Sequence, residues 1–164
     1  PIENWPQVLS ITNKELNIDL NLEKNFGPQS IQTSKDQPDF VWINGESLGD
    51  DDPALKNNSE LPVVFVFDEL LLSKLKLSSK RINFLLDTLR EISHKKDLSV
   101  FIDDPKFILK GQKFAVTYAC VPKYRDITSL IKPAIEFPSR RLAEPISFYP
   151  KSYSSWKKKI KLSV

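Results

Sequence analysis

Five short apolar runs recur between residues 39 and 137, separated by polar segments long enough to be crossovers. They are "FVWI" (40–43), "LPVVFVF" (61–67), "LSVFI" (98–102), "FAVTYA" (114–119) and "AIEF" (134–137), all rich in β-branched or aromatic residues. The second run is apolar on both alternating faces, the habit of a strand buried on both sides of a parallel sheet. After it, Ile82, Leu85, Leu86, Leu89 and Ile92 recur at three- and four-residue steps. That spacing predicts a helix of about four turns, capped by Ser78, with Lys80, Arg81 and Arg90 on its wet side. Strand, helix and strand make a right-handed crossover. "YRDITSLIKP" (124–133) predicts another, ended by Pro133. The pattern predicts an α/β fold with a five-stranded, parallel, doubly wound sheet, Rossmann-like or flavodoxin-like.

Ligands of such sheets sit beyond the carboxyl ends of the strands. The stretch "FVWINGESLGDDDPA" (40–54) turns sharply at that edge. "DDP" occurs at 51–53 and again at 103–105, and in each an Asp can cap a helix that starts at Pro. The residues placed at the ligand edge are Trp42, Asn44 and Gly45 from the first turn, with Asp51 and Asp52 at the helix start that follows. Asp68 joins them after the second strand, and Tyr118, Cys120, Lys123 and Arg125 after the fourth. Gly45 permits close backbone approach, and a helix start favours an anionic group. Trp42 and Tyr118 offer stacking faces, or serve simply as core.

Several of these residues have a second reading. Asp50, Asp51 and Asp52 together suit a hard cation, but capping accounts for the run better. Lys123 and Arg125 would lower the pKa of a nearby thiolate, whereas a lone Cys120 beside a strand more often packs as a small apolar residue. The tail "KSYSSWKKKIKL" (151–162) mixes aromatics with lysines, as nucleic-acid stackers do. A terminal helix turning Trp156 and Ile160 toward the domain explains it better.

Residues 1–38 have a different rhythm. "ENWPQVLSITNKEL" spaces Trp5, Val8, Leu9, Ile11 and Leu16 helically, and "NFGPQSIQTSKDQP" reads as an irregular strap. The expected organisation is an N-terminal helix and strap over 1–38, packed on an α/β domain over 39–164; a disordered tail is the alternative.

Bulk properties narrow the function classes. The 164 residues suit one domain, with 40% hydrophobic and 27% charged side chains. A net charge of +3 is too small to argue for direct nucleic-acid binding. The longest apolar run falls well short of the roughly 20 residues of a membrane span, and no secretory leader pattern opens the chain. One Cys and one His argue against a disulfide framework and a zinc site, and suit a cytoplasmic protein. G-x-G-x-x-G, G-x-x-x-x-G-K-[ST] and G-x-S-x-G are absent, and the lone His94 sits near a helix end. The balance leans toward a protein without catalysis. A nucleotide-handling enzyme on the same sheet and a ligand-free interaction module remain as alternatives.

"FVWINGESLGDDDPALKN", "LPVVFVFDELLL" and "LSSKRINFLLDTLREI" together resemble the N-terminal α/β domain of the photolyase/cryptochrome family. There the first strand and turn read like W-F-R-x-D-L-R-x-x-D-N-x-A-L, the second strand V-x-x-V-F-V-F-D, and the next helix S-x-x-R then F-L-L-x-x-L. "DDPKFIL" resembles the family's G-D-P segment, and "VTYACVPKYRD" its fourth strand with R-D. "EPISFYPKSYSSWKKKI" resembles the P-F-x-x-W phrase at the domain's end. The likeness spans about residues 39–160 and implies an antenna-type fold able to hold a folate, deazaflavin or flavin pigment. It further implies docking to a flavin-bearing chain or self-association. The chain ends where the family's FAD-binding helical domain would begin, so FAD and DNA repair are not expected of it alone. "INGESLG" replaces the F-R-x-D-L-R phrase and removes both of its arginines, and residues 1–38 lie outside the family pattern.

Overall fold

A computed structural model describes residues 27–141, Ala143 and residues 152–160. Six strands form one sheet: β1 (Gln32–Thr33), β2 (Phe40–Ile43), β3 (Val63–Phe67), β4 (Leu98–Ile102), β5 (Phe114–Thr117) and β6 (Ile135–Phe137). Their spatial order is β1-β6-β5-β2-β3-β4. Strands β2 to β6 run parallel, and β1 joins β6 antiparallel. Taken in chain order, the parallel five lie 3-2-1-4-5, the Rossmann-like arrangement rather than the flavodoxin-like one.

The five expected strands fall on β2 to β6, but the expected count of five is one short. Gln32 and Thr33 are exposed and polar, so no hydrophobic pattern marks them. They become a strand because the strap runs beside β6, where the Ser34 amide also donates to the Ala134 carbonyl at 2.7 Å. The strap is therefore part of the sheet. The N-terminal helix expected around residues 5–16 lies outside the described residues, as does most of "EPISFYP".

Alternation along the strands sorts side chains into two cores. Val41, Ile43, Val63, Phe65, Phe67, Ala115 and Phe137 pack on one face with Leu89 and Ile92 of α3 (Ser79–Ser93) and with Ala54 and Leu55 of α1 (Pro53–Asn57). Trp42, Phe114 and Val116 pack on the other with Leu109 of α4 (Pro105–Leu109) and with Tyr124 and Ile127 of α5 (Pro122–Leu130). A sheet covered on both faces explains why "VVFVF" carries no polar face.

The caps form as the sequence indicates. Asp52 accepts from the Leu55 amide, Asp104 from the Lys106 amide and Ser78 from the Arg81 amide, with Pro at the start of α1 and α4. One helix carried no periodic signal: α2 (Glu69–Leu75), capped by Asp68 and closed by Lys76 in the left-handed region at φ 46°. Near the C-terminus α6 (Tyr153–Lys157) is capped by Ser152, and Trp156 is half-buried. No helix among the described residues is long and apolar enough to cross a membrane.

Candidate functional site

The turn after β2 reverses the chain at the carboxyl edge of the sheet. Asn44 Oδ1 accepts the Glu46 amide at 2.9 Å, and Ser47 Oγ accepts the Asn44 amide at 3.2 Å. The Ser47 amide donates back to the Asn44 carbonyl at 3.0 Å. An Asn side chain that imitates a backbone turn in this way bends the chain without help from the glycine. Gly45 has no left-handed φ, and a Cβ there would meet open space. Asn44 Nδ2 is buried with no hydrogen-bond partner among the described residues.

Beside this turn lies a cavity of about 560 Å³. The ends of β2 and β3 form its floor, α2 and the start of α3 one wall, and the first turns of α5 the other. Most of the lining is apolar, from Trp42, Phe65, Leu71, Leu75, Leu85 and Ile127 among others. Its charged groups are Glu46, Asp68, Arg81, Lys123 and Asp126. A volume of a few hundred Å³ with apolar walls and a few convergent polar groups is the usual make-up of a small-molecule site.

Asp68 anchors the polar end. Its carboxylate is buried, one oxygen accepting the Leu71 amide at 2.9 Å and the other pairing with Lys123 Nζ at 2.9 Å. The hydrogen bond to Asp68 raises the pKa of Lys123, and partial burial opposes the rise. Arg81 comes from the first turn of α3 and lines the mouth, where no side-chain bond engages it among the described residues. Trp42 is core as well as wall: it stacks on Tyr124 at 5.8 Å and meets Phe114 edge-on at 5.7 Å. Tyr124 donates to Glu136 at 2.5 Å, and burial first, then that carboxylate, hold its hydroxyl far above the ordinary pKa.

Of the ten residues singled out in the sequence, the cavity gathers Trp42, Asn44, Gly45, Asp68 and Lys123. Asp51, Asp52, Tyr118, Cys120 and Arg125 do not line it. The three carboxylates of the 50–52 run diverge: Asp50 pairs with Lys95 at 2.5 Å, and Asp51 with Lys56 at 2.5 Å and Arg140 at 3.1 Å. Asp52 turns inward under α1, its pKa raised by burial against hydrogen bonds from Thr117 and the Leu55 amide. Among the described residues no group of three His, Cys, Asp or Glu gathers to hold a metal. Tyr118 is buried in the second core, where Gly27 lies so close that a Cβ would sit 2.4 Å from the ring. Cys120 is exposed.

Sequence reasoning missed Arg81, Glu46, Asp126 and the leucines of α2. Arg81 stands in the S-x-x-R phrase, which was the available signal; helical phase alone assigned it to the wet face. The described lining contains no His, Cys, Ser or Thr; its titratable groups are Glu46, Asp68, Arg81, Lys123, Tyr124 and Asp126. No family model, curated protein or solved structure matches this chain.

Proposed function

We propose that this chain is a photolyase-related α/β domain that binds a small planar chromophore or nucleotide-like ligand, without catalysis of its own. The carrying observation is the apolar cavity at the carboxyl edge, whose lining includes Arg81, Lys123 and Asn44. The apolar walls suit a flat ring, and Asn44, whose Nδ2 has no hydrogen-bond partner among the described residues, lies beside them. Arg81 at the mouth suits a phosphate or carboxylate, since guanidinium pairs with both. The phrases "FVWINGESLG" and "LPVVFVFD" carry the photolyase resemblance, and a parallel Rossmann-like sheet is compatible with it. A folate and flavin mononucleotide each combine a planar ring with an anionic tail, and a deazaflavin supplies the planar ring with a polyol chain.

The test is titration of the purified chain with these three compounds, followed by ligand absorbance and Trp fluorescence. At least one should bind in the micromolar range. Arg81→Ala and Lys123→Ala should each weaken it about tenfold or more, the usual scale for a hydrogen bond to a charged group. Absence of binding by all three, or affinity indifferent to both substitutions, overturns the proposal.

A further inference from the structure

The strap that carries β1 supplies nothing to the described cavity lining, yet it holds the cavity's aromatic wall from behind. Residues 29–37 are exposed, whereas Gly27 and Pro28 before them are buried. Gly27 lies flat against the Tyr118 ring: a Cβ there would stand 2.4 to 2.5 Å from three ring carbons. Tyr118 in turn meets Tyr124 edge-on, with centroids 5.5 Å apart. Tyr124 stacks on Trp42 at 5.8 Å with the two planes only 11° apart. Trp42 and Tyr124 both line the cavity, and Tyr118 stands behind them. A continuous row of contacts therefore runs from the strap backbone to the surface a ligand would touch.

A second link reaches the same ring. Gln32 of β1 lies opposite Glu136 of β6, and the Glu136 carboxylate accepts the Tyr124 hydroxyl at 2.5 Å. One residue further along β6, the Phe137 carbonyl accepts the Tyr118 amide at 2.8 Å. The strand that seats the strap thus also holds the hydroxyl end of Tyr124 and the backbone of Tyr118. Trp42, Tyr118 and Tyr124 are each 7% exposed or less. Interiors packed this closely pass strain on, so three buried rings in contact do not shift singly. A methyl group added at Gly27 either pushes on Tyr118 or, because φ is +75° there, lifts the strap off it. Both routes disturb the ring that backs Tyr124 and Trp42.

We infer that the strap, through Gly27 and Tyr118, positions the aromatic wall of the cavity and so sets ligand affinity from outside it. Its bearing on affinity rests on the proposed ligand reading, so the test has one arm without ligand and one with. In a chain carrying Trp5→Phe and Trp156→Phe, Trp42 is the sole tryptophan. Gly27→Ala in that chain should change the near-ultraviolet circular dichroism of Trp42. It should also weaken the tightest of the folate, the deazaflavin and flavin mononucleotide at least about threefold, the usual scale of such coupling. Tyr118→Leu should weaken binding too, and Gly27→Ala added to it should then have a smaller effect, because the ring that receives the push is gone. Gln29→Ala loses the Arg141 contact but keeps Gly27, and should leave both signals as they are. Unchanged dichroism and affinity in Gly27→Ala overturn the inference. So do additive effects of Gly27→Ala and Tyr118→Leu, or a Gln29→Ala effect as large as that of Gly27→Ala. If none of the three compounds binds the wild type, the ligand reading falls by itself: a changed Trp42 signal in Gly27→Ala then still upholds the positioning, and an unchanged one overturns it.

Discussion

Asp52 and Asp68 occupy equivalent stations in successive crossovers. Each follows a strand near the carboxyl edge, caps a short helix with one carboxylate oxygen and is buried to a similar degree, 6% and 7% exposed. They differ in what meets the rest of the carboxylate. Around Asp52 it is neutral, the Thr117 hydroxyl, which also accepts the Ala54 amide at 3.0 Å, and the space is closed. Around Asp68 it is the Lys123 ammonium, and the space opens into the cavity. One local device therefore serves as a closed brace in one loop and as the charged end of a binding site in the next. The neighbour across the sheet decides which.

The largest effect that separates the two is loss of the brace. Asp52→Ala should cost about 2–3 kcal/mol, combining a lost cap with a buried Thr117 hydroxyl left short of a partner. Urea denaturation measures it, and ligand affinity of the folded fraction should not change. A loss of affinity would make Asp52 part of the site and erase the contrast. Asp68→Asn should behave in the opposite way. Asn still caps, so stability should fall by no more than about 1 kcal/mol. With Lys123 released and one negative charge gone from the cavity, affinity for an anionic ligand should rise several-fold in the titration described above.

Acid gives a finer distinction. Burial raises the Asp52 pKa above its unfolded value. Between those two values the folded chain holds more protons than the unfolded one, so this group lowers stability as pH rises from the unfolded carboxylate pKa through the folded one. The difference in urea midpoint between wild type and Asp52→Asn, followed from pH 3 to pH 7, should isolate that slope; a slope of the other sign would contradict the burial. Smallest of all, Gly45→Ala should change stability by less than about 0.5 kcal/mol, because nothing occupies the space its Cβ would take. Any loss of ligand affinity in that variant would place the bound ring against the turn.

The sheet was largely readable in the sequence because burial on two faces leaves continuous apolar runs, and the caps were readable because Asp before Pro has a local cause. What depended on placement across the fold was not. β1 forms from two polar residues that only β6 makes into a strand. The apolar run of α2 continues the β3 pattern without a helical period. Lys123 and Arg125 were grouped by sequence proximity, yet two residues of helix turn a side chain roughly 200° around the axis, so only Lys123 faces the cavity. Tyr118 keeps the inward phase of β5 and is buried under Gly27, whose close approach and φ of +75° exclude a side chain there. Membership of the cavity depends on which helix leans over which strand, and that is a long-range property.

The antiparallel pairing of β1 with β6 carries a practical consequence. Gln29 and Arg141 touch at 2.9 Å, so the described chain enters and leaves the sheet at the same margin. Five strand spacings of about 4.8 Å separate that margin from β4, roughly 24 Å in all. Fluorophores attached near residues 29 and 141 would sit close enough for efficient energy transfer, and would report the grip of the strap while leaving the far margin clear.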